Sequence, residues 1–318
     1  MVSSKSNRFV TNLNWNLLRT FVVIVDEGSI TRAANRLLRR QPAVSLALQR
    51  LEAEIGSRLI ERGHGAFRLT AEGRNLYREC VDIYSGVSRL KEIVTSAQQE
   101  ISGEVKILLA SHVITPMLDD LLTKHHQAHP KTTYSIKTAS SADVATQVQE
   151  KSASFGICLM NRRLLELDYE VIYREFFGFY CGPPHPLFGK SDLKLRDLKN
   201  LDAVSFDTDD LNDALRPVAL LRQQYELQQR VVGQSSHLEE VRRMIQCGLG
   251  IGPMPVHVVK RDVENGLLWR LPPYKAPPAV DIYLVVNPRK RLNRAEAIFI
   301  DALRASIQAT PIQQRTYH

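Results

Sequence analysis

The feature of this sequence that most constrains its fold is the stretch from residue 28 to residue 70, where two segments of helical periodicity flank a short basic turn. In the second segment, from about Pro42 to Ile55, apolar residues recur at the i, i+4, i+7, i+11 spacing of a helix face that packs on a core. Those positions are Val44, Leu48, Leu51 and Ile55. We therefore predict two short helices joined by a tight turn and followed by a two-stranded wing, which together form a winged helix-turn-helix.

The opposite face of the second helix has the composition expected for a DNA major groove. Short polar side chains reach base edges, and the cations beside them meet phosphates. Residues 1–70 hold eleven basic and five acidic residues, so this segment carries +6 of the chain's net charge of +8. An ordinary solvated arginine-rich surface is the alternative, but a basic footprint confined to a helix-turn-helix segment favours phosphate contact. The residues predicted to bind DNA are Ser29, Thr31, Arg32, Arg39, Arg40, Gln41, Pro42, Ser45, Leu46, Gln49, Arg50, Arg62 and Arg68.

A long helix without proline is predicted to follow the wing, from Ala71 to about Gln99. Its apolar and small residues alternate in steps of four and three, which is the period of a coiled-coil seam that needs a partner helix. The seam residues are Leu76, Cys80, Ile83, Val87, Leu90, Val94 and Ala97. The pattern predicts a dimer whose two recognition helices address two half-sites. The alternative is a helix packed on its own domain.

From Gly103 onwards the pattern changes to strands that alternate with helices, which indicates mostly parallel sheets covered by helices. Glu170–Tyr173 and Phe176–Cys181 are predicted as two separate strands, and Leu211–Leu227 as one helix. The predicted fold class is therefore α/β, with an all-α winged helix-turn-helix at the N-terminus.

Three predicted strands end in polar residues that open the next helix, and such strand ends are where α/β proteins bind ligands. They can donate hydrogen bonds to a carboxylate, and the helix dipole adds a favourable potential. Serine and threonine are also good helix caps, so that simpler interpretation stays open for any single corner. The residues predicted to bind a small-molecule effector, with a carboxylate as the class considered, are Ser111, His112, Thr138, Ser140, Ser141, Phe206, Ser236, His237 and Gly252.

Enzyme and metal functions find little support. The sequence has no GxSxG, HExxH or P-loop motif, so neither an enzyme activity nor a cofactor is predicted. His125 and His129 stand i, i+4 on one predicted helix with His126 between them, a spacing that can bind a metal. Because no acidic residue stands near them, a polar helix end is the preferred interpretation and no metal site is predicted.

The cysteines and the termini bear on the compartment. The four cysteines are widely scattered, which fits free thiols in a reducing cytoplasm. Redox sensing by Cys158, Cys181 or Cys247 is kept as an alternative function. A reactive thiol needs a lysine or arginine beside it, and the sequence places none next to these cysteines. An effector-independent DNA-binding protein is a further alternative. The chain shows neither a secretory signal nor an apolar run near the roughly 20 residues of a membrane span, so a cytoplasmic protein is predicted.

Residues 17–75 resemble the DNA-binding domain of the LysR-type transcriptional regulators. The residues that carry the resemblance are Leu18–Phe21, Gly28–Leu37, Gln41–Ser45, Leu51, Glu52, Gly56, Leu59, Glu61, Arg62 and Leu69–Gly73. The sequence departs from that family at Arg39 and Arg40, where a small apolar residue and a serine are usual. It also departs at Leu46, where the family commonly has a polar or basic residue, and at Ile60, where the family usually has phenylalanine. The departures at residues 39, 40 and 46 lie on or near the DNA face and bear on which operator is read.

The resemblance implies a dimer of dimers that reads an inverted repeat in double-stranded operator DNA, with RNA polymerase as a partner if the protein activates and no membrane partner. It also implies a C-terminal domain like a periplasmic binding protein, hinged by crossings near Tyr173–Glu175 and Pro272–Pro277, with the glycine-rich run Gly248–Pro255 beside its cleft. The predicted domains are a disordered tail (1–14), the winged helix-turn-helix (15–70), a linker helix and hinge (71–102) and the effector-binding domain (103–318, with about 103–173 and 277–310 as subdomain I and about 174–276 as subdomain II).

Overall fold

The computed structural model describes residues 14–61, 67–95, 101–160, 162–227 and 230–318. The chain divides into two compact units, which meet in the sequence between residues 98 and 99. Among the helices in those ranges, none combines the length and the apolar character that crossing a membrane requires. Residues 1–13 of the predicted tail and Arg62 of the predicted wing lie outside the described residues.

The N-terminal unit, in its described part, consists of helices followed by a short hairpin and one long helix. Its elements are α1 (Trp15–Glu27), α2 (Ile30–Arg36), α3 (Gln41–Ile55), β1 (Ile60–Glu61), β2 (Arg68–Leu69) and α4 (Ala71–Thr95). The order confirms the predicted winged helix-turn-helix fold. The recognition helix α3 starts at Gln41, one residue before the start predicted at Pro42. Pro42 fits in the first turn of the helix because an amide at that position would have no helical hydrogen bond to lose.

The first three helices enclose one apolar core. Phe21 of α1 and Leu51 of α3 are fully buried in it, as the spacing of apolar residues predicts. Gly28 and Gly56 end α1 and α3 with φ angles of 57° and 79°, in the left-handed region where glycine carries no side-chain penalty. These two glycines therefore fix where the chain turns after α1 and after α3.

The first turns of α4 pack on their own domain, which corrects the predicted seam at its N-terminal end. Cys80 is buried in the helix-turn-helix core and Leu76 packs against that core. The Tyr77 hydroxyl donates a hydrogen bond to Asp26 Oδ1 at 2.6 Å and ties α4 to α1. The alternative interpretation of the apolar period, a helix packed on its own domain, therefore holds for this part of α4.

Further along α4 the apolar side chains are exposed. Ile83 is 45% and Val87 44% exposed in the single chain. Leu90, Val94 and Ala97, the remaining predicted seam residues, fall where the structure describes no side chains. An exposed apolar stripe on a long helix is the surface that a partner helix would cover, so the predicted coiled coil is retained from Ile83 onwards.

The C-terminal unit alternates strands and helices. Its strands are β3 (Ser102–Ala110), β4 (Lys131–Ala139), β5 (Phe155–Leu159), β6 (Asp168–Cys181), β7 (Asp202–Phe206), β8 (Arg230–Ser235), β9 (Gly252–Pro255), β10 (Trp269–Leu271), β11 (Ala279–Val286) and β12 (Thr316–Tyr317). Its helices are α5 (Pro116–Ala128), α6 (Ser141–Gln149), α7 (Arg216–Gln224), α8 (Leu238–Gln246), α9 (Lys260–Glu264) and α10 (Arg294–Ala309). The predicted α/β class is confirmed.

One long strand, β6, joins the two halves of this unit. Its first part pairs with β11 from Asp168 to Phe176, in a sheet that continues through β5 and β3 to β4. Its second part, up to Cys181, pairs with β9 and β10. We call these halves the first and second lobes, and β7 and β8 form a small parallel sheet in the second lobe, bridged to the chain beside β9 by Ala203 and Ile251.

Two sequence predictions are wrong here. The segments predicted as separate strands before and after Arg174 and Glu175 form one strand, because the chain stays extended through the charged pair. The predicted helix over Leu211–Leu227 is only the nine residues of α7. Asp210 and Asp213 accept hydrogen bonds from nearby backbone amides, and such local bonds compete with helix formation.

Candidate DNA-binding surface and effector cleft

The turn before the recognition helix exposes its basic residues. Leu38 takes a left-handed φ of 53°, and the amide of Arg39 donates to the carbonyl of Ala34, so the chain folds back tightly between α2 and α3. Arg40 is the N-cap residue of α3 and makes no side-chain capping bond. The positive end of the helix dipole therefore points out beside two exposed arginines, which suits a phosphate.

The face of α3 opposite its buried stripe is exposed, as predicted. Leu46 is 47% exposed, whereas Leu48 is 3% exposed, so the two leucines point in opposite directions. Ser29 and Ser45 are half-buried, and the Ser29 hydroxyl caps α2. The exposed members of the predicted DNA-binding set are Thr31, Arg32, Arg39, Arg40, Gln41, Pro42, Leu46, Gln49, Arg50 and Arg68. Contact of these residues with DNA stays a prediction.

Arg32 is less free than the sequence suggests. Its guanidinium donates to the backbone carbonyl of Glu27, from Nε at 2.8 Å. The Glu27 carboxylate in turn pairs with Arg36 at 2.7 Å. Arg32 thus has a structural role at the turn between α1 and α2, and a DNA contact would use its remaining donors.

The wing is anchored by a residue that sequence reasoning did not single out. Glu52 of α3 accepts hydrogen bonds from the amides of Leu59, at 2.9 Å, and Ile60, at 3.4 Å. Gly73 of α4 lies so close to this strand that a Cβ there would come within 2.1 Å of the Leu59 carbonyl oxygen. The recognition helix and the wing are therefore fixed to one another.

In the C-terminal unit, four strand ends converge on Ser111. Ala110 of β3 and Ala139 of β4 are paired in parallel register, so the segments that follow them start side by side. In the second lobe, Phe206 of β7 and Ser235 of β8 are paired in the same way. The Ser111 hydroxyl donates to the Ser236 carbonyl at 2.9 Å and accepts from the Leu238 amide at 3.1 Å.

Ser111 therefore links the two lobes, and we expect its removal to loosen them. Ser111→Ala leaves one carbonyl and one helix-start amide without this partner, which should cost about 1–3 kcal/mol of unfolding free energy. The measurement is urea unfolding of the full chain. Thr146→Ala is the matched control, since that exposed hydroxyl bonds only within α6 and should cost no more than about 0.5 kcal/mol. Equal losses in both variants would contradict the bridging role.

The other predicted effector residues differ in their settings. The Ser140 hydroxyl caps α6 by accepting from the Asp143 amide, and Ser141 behind it is buried. Thr138 and His237 are exposed. A side chain at Gly252 would collide with Ile245 and the Val204 carbonyl, so packing alone accounts for glycine there. Contact of these residues with an effector stays a prediction.

A buried polar cluster lies beside Ser111, and sequence reasoning found only His112 of it. His112 Nε2 stands 4.0 Å from Glu175 Oε1, and His257 Nδ1 stands 3.7 Å from Glu175 Oε2. Glu175 is fully buried, and neither of its carboxylate oxygens has a hydrogen-bond partner among the described residues. The only signal in the sequence was a glutamate between Arg174 and Phe176, in a segment rich in aromatic residues.

Burial sets the protonation of this cluster. It raises the pKa of the Glu175 carboxyl well above its ordinary value. Burial, with a smaller contribution from the charge of His257, lowers the pKa of His112 to about 3, so that imidazole is neutral. Burial also lowers the pKa of His257, whose Nε2 donates to the Ile114 carbonyl at 3.2 Å. The Nδ1 atom of neutral His257 is then a hydrogen-bond acceptor that faces Glu175.

Cys158, Cys181 and His125 behave as core residues. Burial raises the pKa of the Cys158 and Cys181 thiols to about 12, so neither is a ready thiolate. Cys247 is exposed. His125 Nδ1 lies 2.6 Å from the Tyr134 hydroxyl and its ring packs on Phe299. Within the described ranges, no group of three His, Cys, Asp or Glu residues is placed to hold a metal ion.

A winged helix-turn-helix joined to a two-lobed α/β unit is the architecture of a ligand-responsive DNA-binding regulator. Family models agree with both parts. Residues 15–74 match the model "Bacterial regulatory helix-turn-helix protein, lysR family", and residues 98–308 match "LysR substrate binding domain". Since the second match alone covers well over half of the chain, the chain belongs to the LysR family of transcriptional regulators.

Individual relatives are distant but extend over nearly the whole chain. It is 25% identical over 303 residues to the HTH-type transcriptional activator BauR of Pseudomonas aeruginosa, covering 93% of this chain and 96% of that protein. It is also 25% identical over 284 residues to the RuBisCO operon transcriptional regulator of Allochromatium vinosum, covering 89% and 92%. Both relatives are named as regulators of transcription.

Solved structures share the fold. CbnR, a LysR family transcriptional regulator, superposes with a TM-score of 0.64 at 19% identity, covering 93% of this chain and 99% of that chain. Full-length CbnR complexed with its target DNA gives a TM-score of 0.62 at 20% identity, covering 92% and 100%. A full-length OxyR variant from Pseudomonas aeruginosa gives 0.62 at 17% identity, covering 95% and 96%.

Proposed function

We propose that this regulator binds an inverted-repeat operator through α3 and the wing, as a pair of chains joined along α4. The observation that carries the proposal is the exposed face of α3, which is polar, is flanked by Arg39 and Arg40, and lies opposite a fully buried apolar stripe. Exposed Ile83 and Val87 supply a pairing surface for α4. Two such pairs would form the dimer of dimers that the family resemblance implies. A protein with this task works in the cytoplasm beside the chromosome, with RNA polymerase as a partner if it activates.

Arg40 tests the division between phosphate and base contacts. We expect Arg40→Ala to weaken binding to all DNA sequences alike, and to reduce the slope of log K against log salt by roughly one unit for each phosphate that is no longer neutralised. The slope is measured on operator and unrelated duplexes over a range of salt concentrations. Arg243→Ala serves as control and should leave the slope unchanged, because this exposed arginine of α8 belongs to the C-terminal unit and pairs with Glu240. A changed base preference in Arg40→Ala would overturn the phosphate assignment.

Leu46 is expected to touch a thymine methyl group. An exposed leucine on the reading face finds its best apolar partner in the major groove at the C5-methyl of thymine. Replacing that thymine by deoxyuridine should weaken wild-type binding by on the order of 1 kcal/mol, whereas Leu46→Ala should be nearly indifferent to the same change. Single thymine-to-uracil replacements across the half-site, measured by gel mobility, check this. If none affects the wild type, Leu46 makes no such contact.

We further propose that a small-molecule effector binds where the strand ends meet at Ser111 and resets the operator contacts. The support is the family match to a substrate-binding domain and the hydrogen bonds by which Ser111 joins the lobes. Thermal-shift screening of small carboxylates and aromatic acids tests this, since a ligand at 100 times its Kd adds about 2.7 kcal/mol to native stability. A hit must also change operator affinity in the wild type but not in Ser111→Ala.

A further inference from the structure

From the buried cluster beside Ser111 we infer that the effector carries a protonated amine, which binds between Glu175, His112 and His257. The inference rests on the proposed effector site and names the chemical class that this site selects. Its starting point is Glu175, a fully buried carboxyl group on β6, the strand that both lobes share. Among the described residues, no lysine or arginine forms an ion pair with it.

The atoms that face one another in this cluster become hydrogen-bond acceptors in need of a donor once Glu175 has lost its proton. Ionised Glu175 offers only acceptor oxygens, and neutral His257 offers Nδ1 because its Nε2 already donates to Ile114. The separations of 4.0 Å and 3.7 Å are too long for direct hydrogen bonds. Both separations are short enough for one ammonium nitrogen to lie between a Glu175 oxygen and a histidine nitrogen, at roughly 2.8 Å from each.

The walls of the cluster favour a cation as well. The rings of Phe177 and Phe206 pack on His112 at centroid distances of 6.4 and 6.5 Å. Tyr317 packs on Tyr173 at 5.0 Å and on His257 at 5.1 Å. Aromatic surroundings attract cations, whereas an anion would find no lysine or arginine paired with Glu175 among the described residues.

The location links this subsite to closure of the lobes. His112 follows Ser111 directly, and Ser111 bonds to Ser236 and Leu238 across the cleft. An amine held at Glu175 therefore sits one residue from the bridge that joins the two lobes. A carboxylate on the same molecule would be directed towards the start of α8, where the positive end of the helix dipole favours an anion. A short molecule with an amine at one end and a carboxylate at the other matches both ends.

Binding should release a proton. The titratable groups around Glu175 are His112 and His257, Tyr173 two residues before it on β6, and Tyr317, which pairs with it in register on β12. Because burial keeps the pKa of the Glu175 carboxyl group well above its ordinary value, that group holds a proton until a cation lies beside it. An arriving ammonium stabilises the ionised form, so the proton leaves to solvent. Below the Glu175 pKa the apparent affinity for the amine should therefore rise with pH, up to about tenfold per pH unit.

The test uses the full-length protein, with a chelator present to remove stray metal ions. Three sets of probes are matched in chain length: straight-chain aminocarboxylates, the same carboxylates without the amine, and the alkylamines. Calorimetry in buffers of different ionisation enthalpy gives both affinity and protons released. We expect the best aminocarboxylate to bind about tenfold to a hundredfold more tightly than its carboxylate and to release about one proton. Glu175→Gln should lose that advantage and the proton release, and leave carboxylate affinity unchanged.

Controls separate this inference from the proposed effector site. Glu170→Gln, on the same strand but paired with Arg304, should behave like the wild type. Glu175→Met gives a second neutral variant should the glutamine variant fold poorly. If carboxylates bind and an added amine brings no gain, the amine assignment is wrong while the effector site stands. If no amine-bearing probe binds the wild type, the assignment is likewise overturned, and Glu175 is a protonated structural residue.

Discussion

Val87→Glu should convert the protein to smaller species in sedimentation at micromolar concentration and reduce operator affinity by about 10²-fold or more. The substitution places like charges opposite each other in an apolar helix pair, where they are poorly solvated. Once the pair separates, each recognition helix binds one half-site alone and loses the effective concentration that the dimer supplies, commonly worth about 10²–10⁴ in affinity. Val87 is suitable because it is exposed in the single chain and its replacement leaves the domain core intact.

Asn75→Glu is the matched control, since it adds the same charge at an exposed position of α4 outside the seam. It should sediment like the wild type. Leu76→Glu would be a misleading test, because Leu76 packs on the helix-turn-helix core and its loss would damage the fold. An unchanged assembly in Val87→Glu would show that the chains pair through another surface.

Leu51→Ala should lower the local stability of the helix-turn-helix by about 2–5 kcal/mol, because it removes buried atoms and leaves a cavity. Leu51 is fully buried between α1 and α3. Amide hydrogen exchange in α1 and α3 measures the effect in the full chain and should accelerate by a factor of about 30 or more for a loss of 2 kcal/mol. Leu46→Ala should leave exchange nearly unchanged although it lies on the same helix, since Leu46 is half-exposed. Equal acceleration in both variants would contradict the assigned faces of α3.

The helix-turn-helix could be predicted closely because its information is local. The stripe of Val44, Leu48 and Leu51 sets the buried face of α3, and glycines at 28 and 56 set two of its boundaries. The contacts of the linker helix α4 were harder to predict, because one apolar period runs through two different environments. At Cys80 it lies in the domain core, and at Val87 it lies on an exposed face. The spacing of apolar residues predicts that a face is buried, but it does not predict which element packs against that face.

The effector cleft could be predicted only in part, for a related reason. Ser111 and His112 were found because they end a strand and begin a helix, which is a local pattern. Glu175 and His257 lie 63 and 145 residues beyond His112 and meet it only through the pairing of β6 with its neighbours. A glutamate next to an arginine, as Glu175 is to Arg174, usually indicates a surface position, so the burial of Glu175 beside His112 and His257 was not predictable from spacing.

The most direct test of the central claim, that the exposed face of α3 reads operator sequence, is in-vitro selection from random duplex DNA with the full chain and with Gln49→Ala. The wild type should enrich an inverted repeat. Because Gln49 is exposed on the reading face, the variant should lose base preference at one position in each half-site. The loss should correspond to about 1–3 kcal/mol of discrimination at that position, and the inverted repeat itself should still be selected. Selection of no sequence by the wild type, or of an identical preference by Gln49→Ala, would contradict the claim.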